Sequence, residues 1–311
     1  MIKENPEEFC APFTLPGIGW WHLPFLRLRS RDSTHPSKRM GIGEEVAVIR
    51  PIEPGDDRTY YSAPHSAIAK KPMEILFFRK LETRVIFVLD LAPAMAFGNP
   101  RKQATAVKAL VSLAASVIAQ PAEGFATIIA AADAISRKDN IANATELRAF
   151  VRSLFFLPAR KRRGFRLSEA IFEASRIPES LVCVISDFII PESDREWINI
   201  AGARDQCESA GSEVIFIRVI DTLESHFLNK GSITIGAFGG GAVWTGEATA
   251  RAIKRRNSAI RDKITTIVED TDIRFCEVIS QDPYLPNVLY DFLEDRLCYL
   301  RQHMPNLPFT R

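Results

Sequence analysis

The stretch Glu82–Gln120, ETRVIFVLDLAPAMAFGNPRKQATAVKALVSLAASVIAQ, decides how the chain is read. Its first part is an unbroken Val/Ile/Phe/Leu run that stops at Asp90, the pattern of a strand buried on both faces of a sheet. Residues 100–120 then repeat apolar residues at helical spacing, with Pro100 near the first turn. The loop between them is where an α/β protein places a binding site. It offers one carboxylate, Asp90, followed by Ala92, Pro93 and Ala94, which have no side-chain oxygen to give.

Outward from this stretch the alternation continues. FATIIAA (125–131), SLVCVISDF (180–188), EVIFIRVID (213–221) and IRFCEVIS (273–280) read as strands. Helical spacing covers 144–156, 165–176, 194–210 (stopped by Gly211), 247–270 and 286–304, and SITIGAFGGGAVWTG (232–246) reads as a hairpin. Upstream, EEVAVIRPI (44–52) and MEILFFRK (73–80) read as strands flanking a turn at Gly55. The expected fold class is α/β: a mostly parallel sheet with helices on both faces, preceded by a small N-terminal β element. The expected division is an arm or linker over 1–40, rich in proline and charge, a β-rich subdomain over 41–80 and the α/β domain over 81–311. Such sheets bind ligands beyond the carboxyl ends of their strands. Asp90 and Asp187 both end strands, so both belong to that edge.

Composition narrows the function classes. Lys plus Arg numbers 40 against 38 Asp plus Glu, a net charge of +2, so the chain is no polycation. Two basic runs, ARKRRGFR (159–166) and KRRNSAIRDK (254–263), lack the interleaved aromatic residues of a single-strand binder, and nucleic acid is not an expected partner. The five cysteines contain no CxxC pair, which argues against a zinc knuckle or disulfide framework, and Cys183 and Cys276 fall in apolar runs that bury them. The N-terminus lacks the basic start and apolar core of a signal peptide, and no apolar stretch is long enough to span a bilayer, so a cytoplasmic location is expected.

Catalytic motifs are weak. GAFGGGAVWTG is followed by no Gly-Lys-Ser/Thr, so it reads as a hairpin rather than a phosphate loop. The five histidines are scattered, with no HxxxH or HExxH. Ser186 sits in no Gly-x-Ser-x-Gly elbow. A phosphoryl-accepting role for Asp90 needs a second acid and a metal beside it, and DLAPA supplies neither. Asp221 and Glu224, in DTLES, read as capping or internal pairing residues, with partner contact as the alternative.

The ordered set of segments resembles a bacterial family of unknown function built on a von Willebrand factor A-like domain, whose members usually occur beside MoxR-type AAA+ ATPases. It is carried by PIEPGDDRTY (51–60), LETRVIFVLDLAPAMAFG (81–98), RRGFRLSEAI (162–171), LVCVISDF (181–188), RVIDTLESHFLNKG (218–231) and AVWTGE (242–247), over roughly residues 41–300. After GDD the family's Ile-Asp-Trp element is replaced by RTYYSAPHSA. The resemblance implies a von Willebrand A-like fold and a metal-ion-dependent adhesion site, in which an Asp-x-Ser-x-Ser loop, a threonine and a second aspartate hold magnesium. Here Asp90 and Asp187 match the aspartates, Ala92 and Ala94 stand at the serine positions, and Phe165 stands at the threonine position. Magnesium demands hard oxygen ligands, so two carboxylates with water would hold it only weakly, and no cofactor is expected. A guanidinium from Arg160, Arg162, Arg163 or Arg166, in a loop that also carries Lys161, is expected in the ion's place, Arg163 or Arg166 foremost. The functional expectation is a non-catalytic adaptor working with a MoxR-type ATPase on an unidentified client protein. The alternatives are a metal-dependent phosphohydrolase or nuclease and a metal-dependent adhesion module, each using Asp90 and Asp187.

Overall fold

The computed structural model describes residues 41–53, 60–77, 84–98, 101–118, 125–131, 134–155, 167–178, 180–190, 195–225, 232–237, 240–245, 247–268, 274–280 and 285–303. They fall into two compact units, one ending at Glu82 and the other beginning at Thr83.

In the smaller unit β1 (Gly41–Pro51) pairs antiparallel with β2 (Met73–Phe77), and α1 (Ala63–Ala69) lies between them in sequence. The sequence pattern did not anticipate α1. Seven residues are too few for a periodic signal, and the helix depends on tertiary bonds. Ser66 Oγ donates to the Ser62 carbonyl at 2.6 Å and accepts the Met73 amide at 2.8 Å, tying the helix to the start of β2.

The larger unit is built on a six-stranded sheet of β3 (Arg84–Asp90), β4 (Phe125–Ala131), β5 (Ile135–Ile141), β6 (Leu181–Ser186), β7 (Glu213–Ile220) and β10 (Phe275–Ile279). The spatial order is β10-β7-β6-β3-β4-β5. All pairs are parallel except β4 with β5. β5 is a second element that the sequence did not announce. Its residues ISRKDNI are polar because the strand lies at the sheet's edge with most side chains in water, so it lacks the apolar run that marks the others.

Helices cover both faces of the sheet. α2 (Lys102–Ile118), α3 (Ala144–Phe155) and α8 (Leu285–His303) bury one core with Val85, Phe87, Leu89, Cys183, Ile185 and Ile217. α4 (Leu167–Ser175), α5 (Glu196–Ser209) and α7 (Glu247–Ile267) bury the other with Ile86, Val88, Val182, Val184 and Phe216. Alternate residues of β3 and β6 thus feed opposite cores, which is why both strands read as continuous apolar runs. Each such side chain contributes about 1.5–3 kcal/mol on leaving water. β8 (Ser232–Ala237) and β9 (Gly240–Thr245) form the expected hairpin. The result is the expected von Willebrand A-like α/β architecture, preceded by the small β element. No helix among the described residues is long and apolar enough to cross a membrane.

The strand order fixes where a site belongs. Counted within the large sheet alone, it is 3-2-1-4-5-6, the doubly wound arrangement that reverses direction between its first and fourth strands. Those two strands are β3 and β6, which lie side by side. Asp90 is the last residue of β3, and Asp187 is the first beyond β6. The chain therefore places its two aspartates at the crevice where such sheets bind ligands.

Candidate functional site

Each aspartate is built into its loop by local bonds. Asp90 Oδ1 accepts the Ala92 amide at 2.8 Å, the side-chain-to-backbone turn that aspartate forms readily. Its Oδ2 accepts the Ser186 hydroxyl at 2.7 Å, and Ser186 Oγ in turn accepts the Phe188 amide at 2.9 Å. Asp187 Oδ1 accepts the Ile189 amide at 3.0 Å. Phe188 holds φ at 53°, a left-handed backbone that costs a bulky residue about 1–3 kcal/mol. Its ring offsets that cost by packing edge-on to Phe216 at 5.4 Å and stacking on Trp197 at 6.5 Å.

Among the described residues, Lys102 brings a buried ammonium to this edge. Its Nζ donates to Asp187 Oδ2 at 2.7 Å and lies 3.3 Å from each Glu224 carboxylate oxygen. The Phe97 ring centroid is 5.8 Å from the ammonium. Lys102 has 0% exposure, and it opens α2, where the helix dipole disfavours positive charge. No acidic residue lies in the first turn of that helix, so the compensating charge comes from distant loops. The loop that delivers Lys102 is a 3₁₀ turn over Pro93–Ala96, followed by Gly98 at φ 100°, a conformation open to glycine. The Lys102 amide donates to the Phe97 carbonyl at 2.8 Å and closes the turn.

Glu224 is fixed independently of the lysine. It belongs to the short helix α6 (Thr222–Ser225), and its Oε2 accepts the Asp221 amide at 3.1 Å, the glutamate half of a capping box for that helix. Asp221 Oδ2 accepts the Ser280 hydroxyl at 2.9 Å. Arg218, buried on β7, donates through Nε to the Asp187 carbonyl at 3.4 Å and through its NH2 nitrogen to Asn257 Oδ1 at 2.7 Å. Asn257 Nδ2 donates to the Glu224 carbonyl at 2.9 Å. Lys102, Asp187, Arg218, Asn257 and Glu224 thus close a ring of bonds that ties helices from both faces of the sheet to its carboxyl edge. Burial pushes the Arg218 guanidinium down to about 10, against the opposing pull of Glu224 and Asp187.

Sequence reasoning placed Asp90 and Asp187 and missed Lys102, Glu224 as its partner, and Ser186 as the link between the strand ends. The loop of Arg160, Lys161, Arg162, Phe165 and Arg166, with Arg163, lies outside the described residues. Ala92 is buried beside Asp90, to which it gives its amide, and Ala94 lies in the 3₁₀ turn. The second basic run lies on α7, where Lys254, Arg255 and Arg256 are exposed and Arg261 pairs with Glu277.

The donor set does not fit the magnesium ion that the resemblance implies. Asp187 Oδ2 and both Glu224 oxygens face the Lys102 ammonium, which would repel a divalent cation, and Ala92 and Ala94 bring no side-chain oxygen to the loop after Asp90. Among the described residues no group of three or more His, Cys, Asp or Glu side chains is placed to hold a metal.

A family model described as "Protein of unknown function DUF58" matches residues 48–272. The chain is a member of the DUF58 family. No curated protein matches its sequence. Among solved structures, the chain is similar to the conserved hypothetical protein BatB from Bacteroides thetaiotaomicron, at 12% identity and a TM-score of 0.40, covering 68% of this chain and 99% of that one. It is also similar to an aerotolerance-related membrane protein from Bacteroides fragilis NCTC 9343, at 16% identity and a TM-score of 0.35, covering 60% and 98%. Both likenesses are remote.

Proposed function

We propose that this DUF58 protein is a non-catalytic adaptor that docks another protein at the Asp90/Asp187 edge, with a MoxR-type AAA+ ATPase as its partner in maturing a client. The observation that carries the reading is the commitment of both aspartates to internal donors: Asp90 to Ala92 and Ser186, Asp187 to Ile189 and Lys102. A general base or nucleophile needs an oxygen free to approach its substrate, whereas a docking rim needs fixed shape and balanced charge. The ATPase partner is supported by the family resemblance alone. Docking of this kind depends on charge and shape and is indifferent to chelators.

The test is complex formation between the full chain and a MoxR-type ATPase from the same genome. The chain is stripped with EDTA and desalted before mixing, and compared with untreated chain. Equal affinity is expected. Binding that disappears on stripping and returns with magnesium overturns the reading and favours a metal-dependent adhesion module.

A further inference from the structure

We infer that Lys102 is a covalently tethered counter-ion holding the cation position of this sheet edge, and that removing its side chain opens a site for a divalent cation between Asp187 and Glu224. The inference concerns the chain alone and stands whether or not the docking partner is the one proposed above.

Three observations carry it. The ammonium is fully buried in the first helical turn, where both desolvation and the helix dipole oppose it, so among the described residues it is held by the charge of the two carboxylates, with the Phe97 ring 5.8 Å away. The carboxylates do not depend on the lysine for their positions. Asp187 is oriented by the Ile189 amide, and Glu224 by the Asp221 amide with its own carbonyl held by Asn257. They would remain aimed at one point if the lysine were shortened. Finally, Glu224 presents both oxygens to that point at 3.3 Å, and its side chain is 16% exposed, so one of the two acids is in touch with solvent. Hard oxygen ligands with water completing the shell suit magnesium or manganese, and the volume left by a lysine stem would admit that water.

The experiment compares the full-length protein with Lys102→Ala and Lys102→Met, using thermal melting in a manganese chloride titration and the free-manganese electron paramagnetic resonance signal. The unsubstituted protein is expected to melt at the same temperature throughout and to leave the signal intact. Both variants are expected to melt lower, by on the order of 10 °C. Millimolar manganese should raise the melting temperature of Lys102→Ala and remove about one equivalent of free ion. It should not raise that of Lys102→Met, whose side chain keeps the bulk without the charge. Manganese taken up equally by the unsubstituted protein and lost in Asp187→Asn overturns the inference, as does a folded Lys102→Ala that no divalent ion stabilises. Should Lys102→Ala fail to fold, Lys102→Met/Asp187→Asn decides. A tethered counter-ion requires the double variant to recover stability relative to Lys102→Met, and no recovery overturns it.

Discussion

Lys102 Nζ lies 2.7 Å from Asp187 Oδ2, although 85 residues separate them along the chain. The bond joins the start of α2 to the loop after β6, and Glu224 joins the same nitrogen from the loop after β7. The two acids differ in access to water, Asp187 being buried at 2% exposure while the Glu224 side chain reaches 16%. Water can replace part of what Glu224 gives the ammonium and little of what Asp187 gives. Asp187→Asn is therefore expected to cost about 3–5 kcal/mol and Glu224→Gln about 1–3 kcal/mol. Urea unfolding at neutral pH measures both, and a reversed ranking contradicts this division of charge.

Ser186 is the bond between the two strand ends, donating to Asp90 and accepting from Phe188. Ser186→Ala leaves a buried carboxylate oxygen and a buried amide each short of a bond, a loss of about 1–3 kcal/mol per group. The left-handed Phe188 also loses the acceptor that steadies it. Ser186→Ala should consequently destabilise the fold more than Ser153→Ala, whose hydroxyl bonds its own helix at an exposed position. Chemical denaturation of the two variants side by side checks the order.

How much of this was legible depended on whether each partner was local. β3 and β6 announced themselves because both faces are buried, and their terminal aspartates followed from where apolar runs stop. β5 and α1 stayed hidden, one as a polar edge strand and the other as a seven-residue helix held by Ser66. Lys102 in PRKQAT reads as one more solvated charge, because the acids that bury it lie 85 and 122 residues away. An internal cation was anticipated from the arginine-rich run 160–166, which lies outside the described residues, and composition does not reveal that Lys102 is the lysine that is buried. The one local clue was the spacing of Asp221 and Glu224, which fits a capping box and does position the glutamate.

The buried thiols give a pH-dependent prediction. Burial raises Cys207 and Cys276 from their ordinary 9.0 to about 12, with Glu208 adding to the shift at Cys207, and it pushes Cys183 up as well. The unfolded chain releases these protons near 9 while the folded chain keeps them, so above that pH the folded state binds more protons. Their contribution to stability is whole below pH 9.0 and is lost as pH climbs toward 12. Iodoacetamide at pH 8 with peptide mapping should label exposed Cys298 and spare these three until denaturant is added. Fast labelling of Cys207 or Cys276 in the native protein would show that the cores are looser than described.

Asn257 tests whether the ring of bonds at the carboxyl edge acts as a unit. Among the described residues it is the helix side chain that bonds both Arg218 and the Glu224 carbonyl, so its two bonds link α7 to the strand carrying Arg218 and to the loop carrying Glu224. Asn257→Ala deprives a buried guanidinium of one acceptor and leaves a carbonyl without its donor. Arg218 keeps Glu277 at 2.9 Å and the residue-257 carbonyl at 3.3 Å, so the charge is not stranded. The expected loss is about 1–3 kcal/mol, below that of Asp187→Asn. Asn257→Asp should fall between the parent and Asn257→Ala, because its carboxylate still accepts from Arg218 but no longer donates to Glu224. Amide exchange separates a unit from independent bonds. If the ring acts together, Asn257→Ala speeds exchange in α7 and in residues 221–225, and also at the start of α2, where Lys102 depends on Glu224 staying in place. Acceleration confined to α7 would reduce Asn257 to a local anchor.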